Sequence, residues 1–93
     1  MNERTARTRR FKRTAKGRKF AAGVGLNVRA QRGQRHMTQA ALAKRLDTDV
    51  PTVSRIESGE RDLRTSELYE VGLVLGVPPR VLVDVESNGN GNA

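Results

Sequence analysis

Cysteine and tryptophan are both absent from the 93 residues, histidine occurs once, and the only aromatic side chains are Phe11, Phe20 and Tyr69. Without cysteine there can be no disulfide, no zinc–thiolate site and no thiol nucleophile. A single His36 rules out every His-pair arrangement, and no GxxxxGK[ST] phosphate loop occurs. No pair of residues forms a recognisable acid/base or metal constellation, so no enzyme, no cofactor and no metal is expected. There is also no apolar run of about 18 residues and no signal-peptide core. The expectation is a soluble, cytoplasmic protein with no membrane partner.

What is present in excess is positive charge, and it is unevenly placed. The formal net charge is +8. Residues 1–22 hold nine basic side chains against one acid, Glu3, which accounts for all of it; the other 71 residues carry nine charges of each sign. Few apolar positions interrupt the basic run, so it is expected to be a disordered basic arm, residues 1–22, that cannot bury enough surface to offset the entropy of ordering. On a polyanion such an arm contributes through counterion release. Arg9, Arg10, Arg13, Arg18 and Lys19 are its candidate contacts. Residues 23–85 remain for a folded domain, and 86–93, ESNGNGNA, read as a flexible tail.

Inside the domain the apolar spacing predicts helices throughout. Val24, Val28 and Gln31 mark a first helix to about Arg35, with Gly33 as an interior weakness of about 1 kcal/mol. Thr38 is a suitable N-cap for a second helix whose inward face is Ala41, Leu42 and Leu46, with Ala43 at a close helix crossing. Asp47-Thr48-Asp49 is a three-residue turn in which Asp can take a positive φ. A third helix, about Val50 to Ser58, begins at an Asp49 cap and buries Val53 and Ile56. Gly59 stops it. The fourth helix, Thr65 to Leu75 from a Thr-Ser-Glu start, buries Leu68, Val71 and Leu75; a short fifth, Pro79 to Asp84, closes the core with Val81 and Leu82. Leu73, Val74 and Val83 exceed what one small core needs, which suggests a dimer face.

Two helices joined by three polar residues make a helix-turn-helix, and a major groove of about 12 Å admits the second of them. The outward residues of the third helix are then Val50, Pro51, Thr52, Ser54 and Arg55. Arg55 can donate two hydrogen bonds to guanine or one to a phosphate, while Val50 and Pro51 can only touch thymine methyls or exclude wrong bases. Thr38, Gln39, Ser54, Ser58, Arg61 and Arg64 are the candidate phosphate contacts.

The run TQAALAKRL, three residues, PTVSRIESGER, and then LxxxxLxLGV closely resembles the Cro and lambda-repressor type (XRE-like) helix-turn-helix domains of phage and bacterial regulators. The resemblance covers Val24 to Asp84. It implies an all-α fold, a five-helix Cro/lambda-repressor-like bundle with the helix-turn-helix at its centre, the second helix across the DNA backbone and the third in the major groove. Carried onto this sequence, Gln39 holds a phosphate, Val50, Pro51, Thr52 and Arg55 face base edges, and Arg32 pairs with Glu57 as a structural ion pair. Asp47, Thr48 and Gly72 depart from the family pattern, which has Gly, an apolar residue and Ala at those places. The expected function is a sequence-specific double-stranded DNA-binding transcription regulator, a repressor, acting as a homodimer on a pseudo-palindromic operator. The competing expectation is an antitoxin or interaction module whose partner is a toxin or another regulator.

Overall fold

The computed structural model describes residues 11–85; the candidate arm residues Arg9 and Arg10 and the tail 86–93 lie outside them. All regular structure among the described residues is helical: α1 Ala15–Gln34, α2 Gln39–Arg45, α3 Val50–Ser58, α4 Thr65–Leu75 and α5 Pro79–Leu82. The expected all-α, five-helix order is therefore the observed one; α2 and α3 fall where their caps and spacing place them, and α4 where its spacing does.

Each cap has a chemical cause. Thr38 Oγ1 accepts the N–H of Ala41 at 3.0 Å and starts α2; Asp49 Oδ1 accepts the N–H of Thr52 at 2.9 Å and starts α3. The ends of the first four helices share one solution. A residue one or two positions past the end takes a left-handed conformation, and the next N–H reaches back to the last turn: Met37 to Arg32, Thr48 to Ala43, Glu60 to Arg55 and Val77 to Gly72, at 2.8–3.1 Å. Gly59 (φ 84°) and Gly76 (φ 73°) take that place without cost, whereas His36 (φ 54°) and Asp47 (φ 58°) take it with a side chain. Asp47 fills the role expected of it. His36 is the left-handed residue at the end of α1.

The core is Val28, Leu42, Ala43, Val53, Ile56, Val71, Leu75 and Leu82, with Met37, Leu46, Leu63, Leu68, Val74 and Val77 packed against it. Two residues depart from expectation here. Ala41 is exposed, because the inward stripe of a seven-residue helix is filled by Leu42 and Ala43; Val74 packs on the core and so is not part of a free face. Gly72 is not merely a weak helix former either. A Cβ there would lie 2.7 Å from the carbonyl oxygen of Val77, so the turn into α5 requires its absence. Pro79 opens α5, which ends at Leu82 rather than Asp84, one turn being enough to bury Leu82 completely.

The largest correction concerns the basic arm. Residues 15–22 are helical, not disordered: α1 starts eight residues before Gly23, capped by Thr14 Oγ1, which accepts the N–H of Gly17 at 3.0 Å. Composition alone points to disorder because the segment has many charges and few large apolar side chains to bury; its glycine and alanine are the exception. In the fold they are contact surface. Gly25 lies beneath the carbonyl oxygens of Ile56 and Glu57, Gly59 packs on the backbone of Ala22, and Gly23 packs on Val85, so small side chains let α1 close on its neighbours. Arg13 fastens the segment further, donating to the carbonyls of Gly59 and Glu60 at 3.4 Å and to Asp62 Oδ1 at 3.2 Å.

Candidate nucleic-acid interface

One face of α3 is free and the opposite face is locked. Val53, Ile56 and Glu57 are buried, while Val50, Pro51, Ser54, Arg55 and Ser58 are exposed, at spacings that put Pro51, Ser54, Arg55 and Ser58 on one side. Arg55 is therefore in solvent on the outward face. Thr52 is half-buried and borders a cleft with Leu46, Thr48 and Leu63, so it stands at the edge of the free face, not on it. Ser58 Oγ donates to the carbonyl of Arg55 at 3.1 Å, which engages its only proton within its own helix.

Behind α3 lies a buried polar cluster. Arg32 on α1 donates from Nε to Glu57 Oε2 at 2.7 Å and from Nη2 to Oε1 at 3.0 Å, and its Nη1 reaches the carbonyl of Met37 at 2.8 Å. The side chains are 15% and 5% exposed, so this is a bidentate, largely desolvated pair, and Arg32 is committed to structure. Gln39, the first residue of α2, adds a third ligand: its Nε2 donates to Glu57 Oε1 at 2.9 Å. That fixes the amide and leaves one N–H of Nε2 for an outside acceptor. Burial pushes the Glu57 carboxyl up, but the hydrogen bonds from Arg32 and Gln39 and the charges of Arg32 and Arg29 outweigh it and hold the group below the ordinary carboxylate range. The role of Gln39 inside this cluster was not visible from its position in the first turn of α2.

Other candidates separate by their partners. Arg61 forms a two-bond pair with Glu67, 2.9 and 3.0 Å, which fixes the α3–α4 loop to α4 and engages part of the guanidinium expected to meet a phosphate. Glu67 also accepts the backbone N–H of Arg64 at 2.9 Å, and Arg64, not Thr65, is the N-cap of α4. The Arg64 side chain is exposed. Thr38 is exposed at the start of α2, and Arg13, Arg18 and Lys19 stand in or just before the first turns of α1. The described residues hold no group of His, Asp and Glu that could hold a metal ion and no helix long and apolar enough to cross a membrane.

A short α2, a left-handed Asp47, a capped α3 with one exposed face, and a buried Arg–Glu–Gln cluster behind it define a helix-turn-helix DNA-binding domain of the Cro and lambda-repressor (XRE) type. The helix-turn-helix family model matches residues 28–82, more than half of the chain, and the chain belongs to that family, whose members are DNA-binding transcription regulators. Three solved structures illustrate the likeness. The restriction-modification controller protein C.AhdI from Aeromonas hydrophila is 23% identical over 70% of this chain and 94% of its own, with a TM-score of 0.66. The clp gene regulator ClgR from Corynebacterium glutamicum is 20% identical over 69% of this chain and 68% of its own, also at 0.66. HppE, crystallised with FeII and substrate, is 30% identical over 78% of this chain but only 41% of its own, at 0.67. No curated protein matches the sequence.

Proposed function

We propose that this protein is a homodimeric, sequence-specific transcriptional repressor that sets α3 of each protomer into successive major grooves of a pseudo-palindromic operator, in the cytoplasm and without catalytic activity. The observation that carries the reading is the division of α3 into a locked face and an exposed one. Val50, Pro51 and Arg55 supply the base contacts, with Thr52 at their margin; Thr38, Gln39, Ser54 and Arg64 supply phosphate contacts. Arg55 is the one long donor on the face, so guanine in the half-site is its natural partner.

Tyr69 and Leu73 support a second copy as partner. They are 54% and 59% exposed and four residues apart on α4, which puts them on one face of that helix. An isologous contact through them gives the two-fold symmetry that a palindromic site needs. The same two side chains favour, as the second reading, capture of another protein such as a toxin.

Selection of preferred sites from random duplexes with the purified chain tests the proposal. The expected product is an inverted repeat with half-sites about one helical turn apart. A single unrepeated motif would remove the dimer. No enrichment, with a preference below about tenfold between duplexes, would remove sequence-specific binding, since specific sites are typically favoured by at least about 10³.

A further inference from the structure

The edge of α1 that abuts the end of α3 carries more positive charge than packing requires. Ala22 and Gly25 make the contact itself, against Gly59 and against the carbonyls of Ile56 and Glu57. Arg18 stands four residues before Ala22, and Arg29 four residues after Gly25, so helical spacing puts both on that edge. Both are exposed, and among the described residues neither is paired with a carboxylate. Arg18 is placed by its neighbour: its Nη1 donates to the carbonyl of Arg13 at 2.9 Å, and Arg13 is fastened to Gly59, Glu60 and Asp62. Lys16, two residues from Arg18, is turned about 200° away round the helix.

A helix with its side chains is about 10–12 Å across and nearly fills a major groove about 12 Å wide. Elements packed beside the end of a groove-bound α3 therefore lie level with the sugar–phosphate wall. We propose that Arg18 and Arg29 form a phosphate-binding rim on α1, held in place rather than ordered on contact, with Arg13 as the positioning residue for Arg18. The inference rests on the DNA-binding reading above and adds to it a pair of backbone contacts supplied by α1. The helical ordering of Arg18 means that its contact costs little conformational entropy at binding, unlike one made by a loose arm.

Salt dependence of binding by the full chain tests this, using a duplex that carries the selected site, an unrelated duplex, and urea unfolding of each variant. Arg18→Gln and Arg29→Gln are each expected to lower the slope of log K against log salt by about 0.9, the double variant by about 1.8, with both duplexes weakened alike, the urea midpoint unchanged for Arg18→Gln and only slightly lower for Arg29→Gln, whose charge also acts on Glu57. Arg18→Lys and Arg29→Lys are expected to keep the slope, and Lys16→Gln to leave it unaltered. A wild-type slope retained by the double variant overturns the rim while leaving the DNA-binding reading intact. So does an equal effect from Lys16→Gln, which would mean bulk charge, or a fall in the urea midpoint that tracks the loss of affinity. A wild-type chain that binds neither duplex overturns both.

Discussion

Glu57 at the end of α3 and Arg32 in the last turns of α1 share two hydrogen bonds, at 2.7 and 3.0 Å, with the carboxylate almost wholly out of solvent. The pair joins the longest helix to the recognition helix, and Gln39 joins α2 to the same carboxylate. Three of the five helices thus meet on one acid.

Truncating either member strands the other. Arg32→Ala or Glu57→Ala is expected to cost about 3–5 kcal/mol, because a buried charge is left without its counterpart. Urea unfolding of the single and double variants measures the coupling: the double variant is expected to lose clearly less than the sum of the singles. Simple additivity would contradict a coupled pair.

Two glycines of α1 are expected to respond in opposite directions. At Gly33 a Cβ meets nothing within 4 Å, so Gly33→Ala is expected to raise stability by about 1 kcal/mol through helix propensity and reduced unfolded-state freedom. At Gly25 the same methyl meets the carbonyls of Ile56 and Glu57, 2.5 Å from the latter, so Gly25→Ala is expected to destabilise and to loosen α3. Thermal melts of the two variants decide the signs.

Asp47 carries a side chain in a left-handed conformation and a negative charge at the negative end of α2. Asp47→Gly removes both and is expected to gain up to about 1 kcal/mol in urea unfolding without altering DNA preference.

Acid should expose the Arg61–Glu67 pair. The hydrogen bonds from Arg61, then that from the Arg64 backbone, hold the Glu67 carboxyl down at about 2, against an ordinary 4.5. The folded form therefore binds this proton less readily than the unfolded form. The stability contributed is complete above about pH 4.5 and is lost as pH falls toward about 2. Across that window Glu67→Gln is expected to give a shallower fall of stability with pH than the wild type, from a lower starting value at neutral pH. Parallel curves would show that Glu67 is not the titrating group.

Arg55→Ala is expected to weaken the selected site by about 1–3 kcal/mol and to relax preference at one base position, with little change on unrelated DNA. Equal loss on both duplexes, in titrations at a single salt concentration, would make Arg55 a phosphate contact.

Local chemistry in the sequence determined the helix-turn-helix. Thr38 and Asp49 stand where caps are needed, Gly59 and Gly76 suit left-handed ends, and Val53, Ile56, Val71 and Leu75 recur at a period that buries one stripe. These signals act within a few residues, so they can be read from order along the chain. The Arg32–Glu57 pair was accessible only through resemblance to a family, since the two residues are 25 apart.

The tertiary structure decided everything that depends on what approaches from elsewhere. Ala15–Ala22 looked like an arm because its residues have little to bury, yet Thr14 caps it, Arg13 ties it to the α3–α4 loop, and its small side chains admit Gly59 and the end of α3. Arg61 and Arg64 look alike in sequence, and only the position of Glu67 makes the first a structural ion pair and leaves the second free in solvent. Charge and size are written in the sequence; whether a charge meets a carboxylate or solvent, and whether a glycine is slack or a contact, is fixed by which element the fold brings against it.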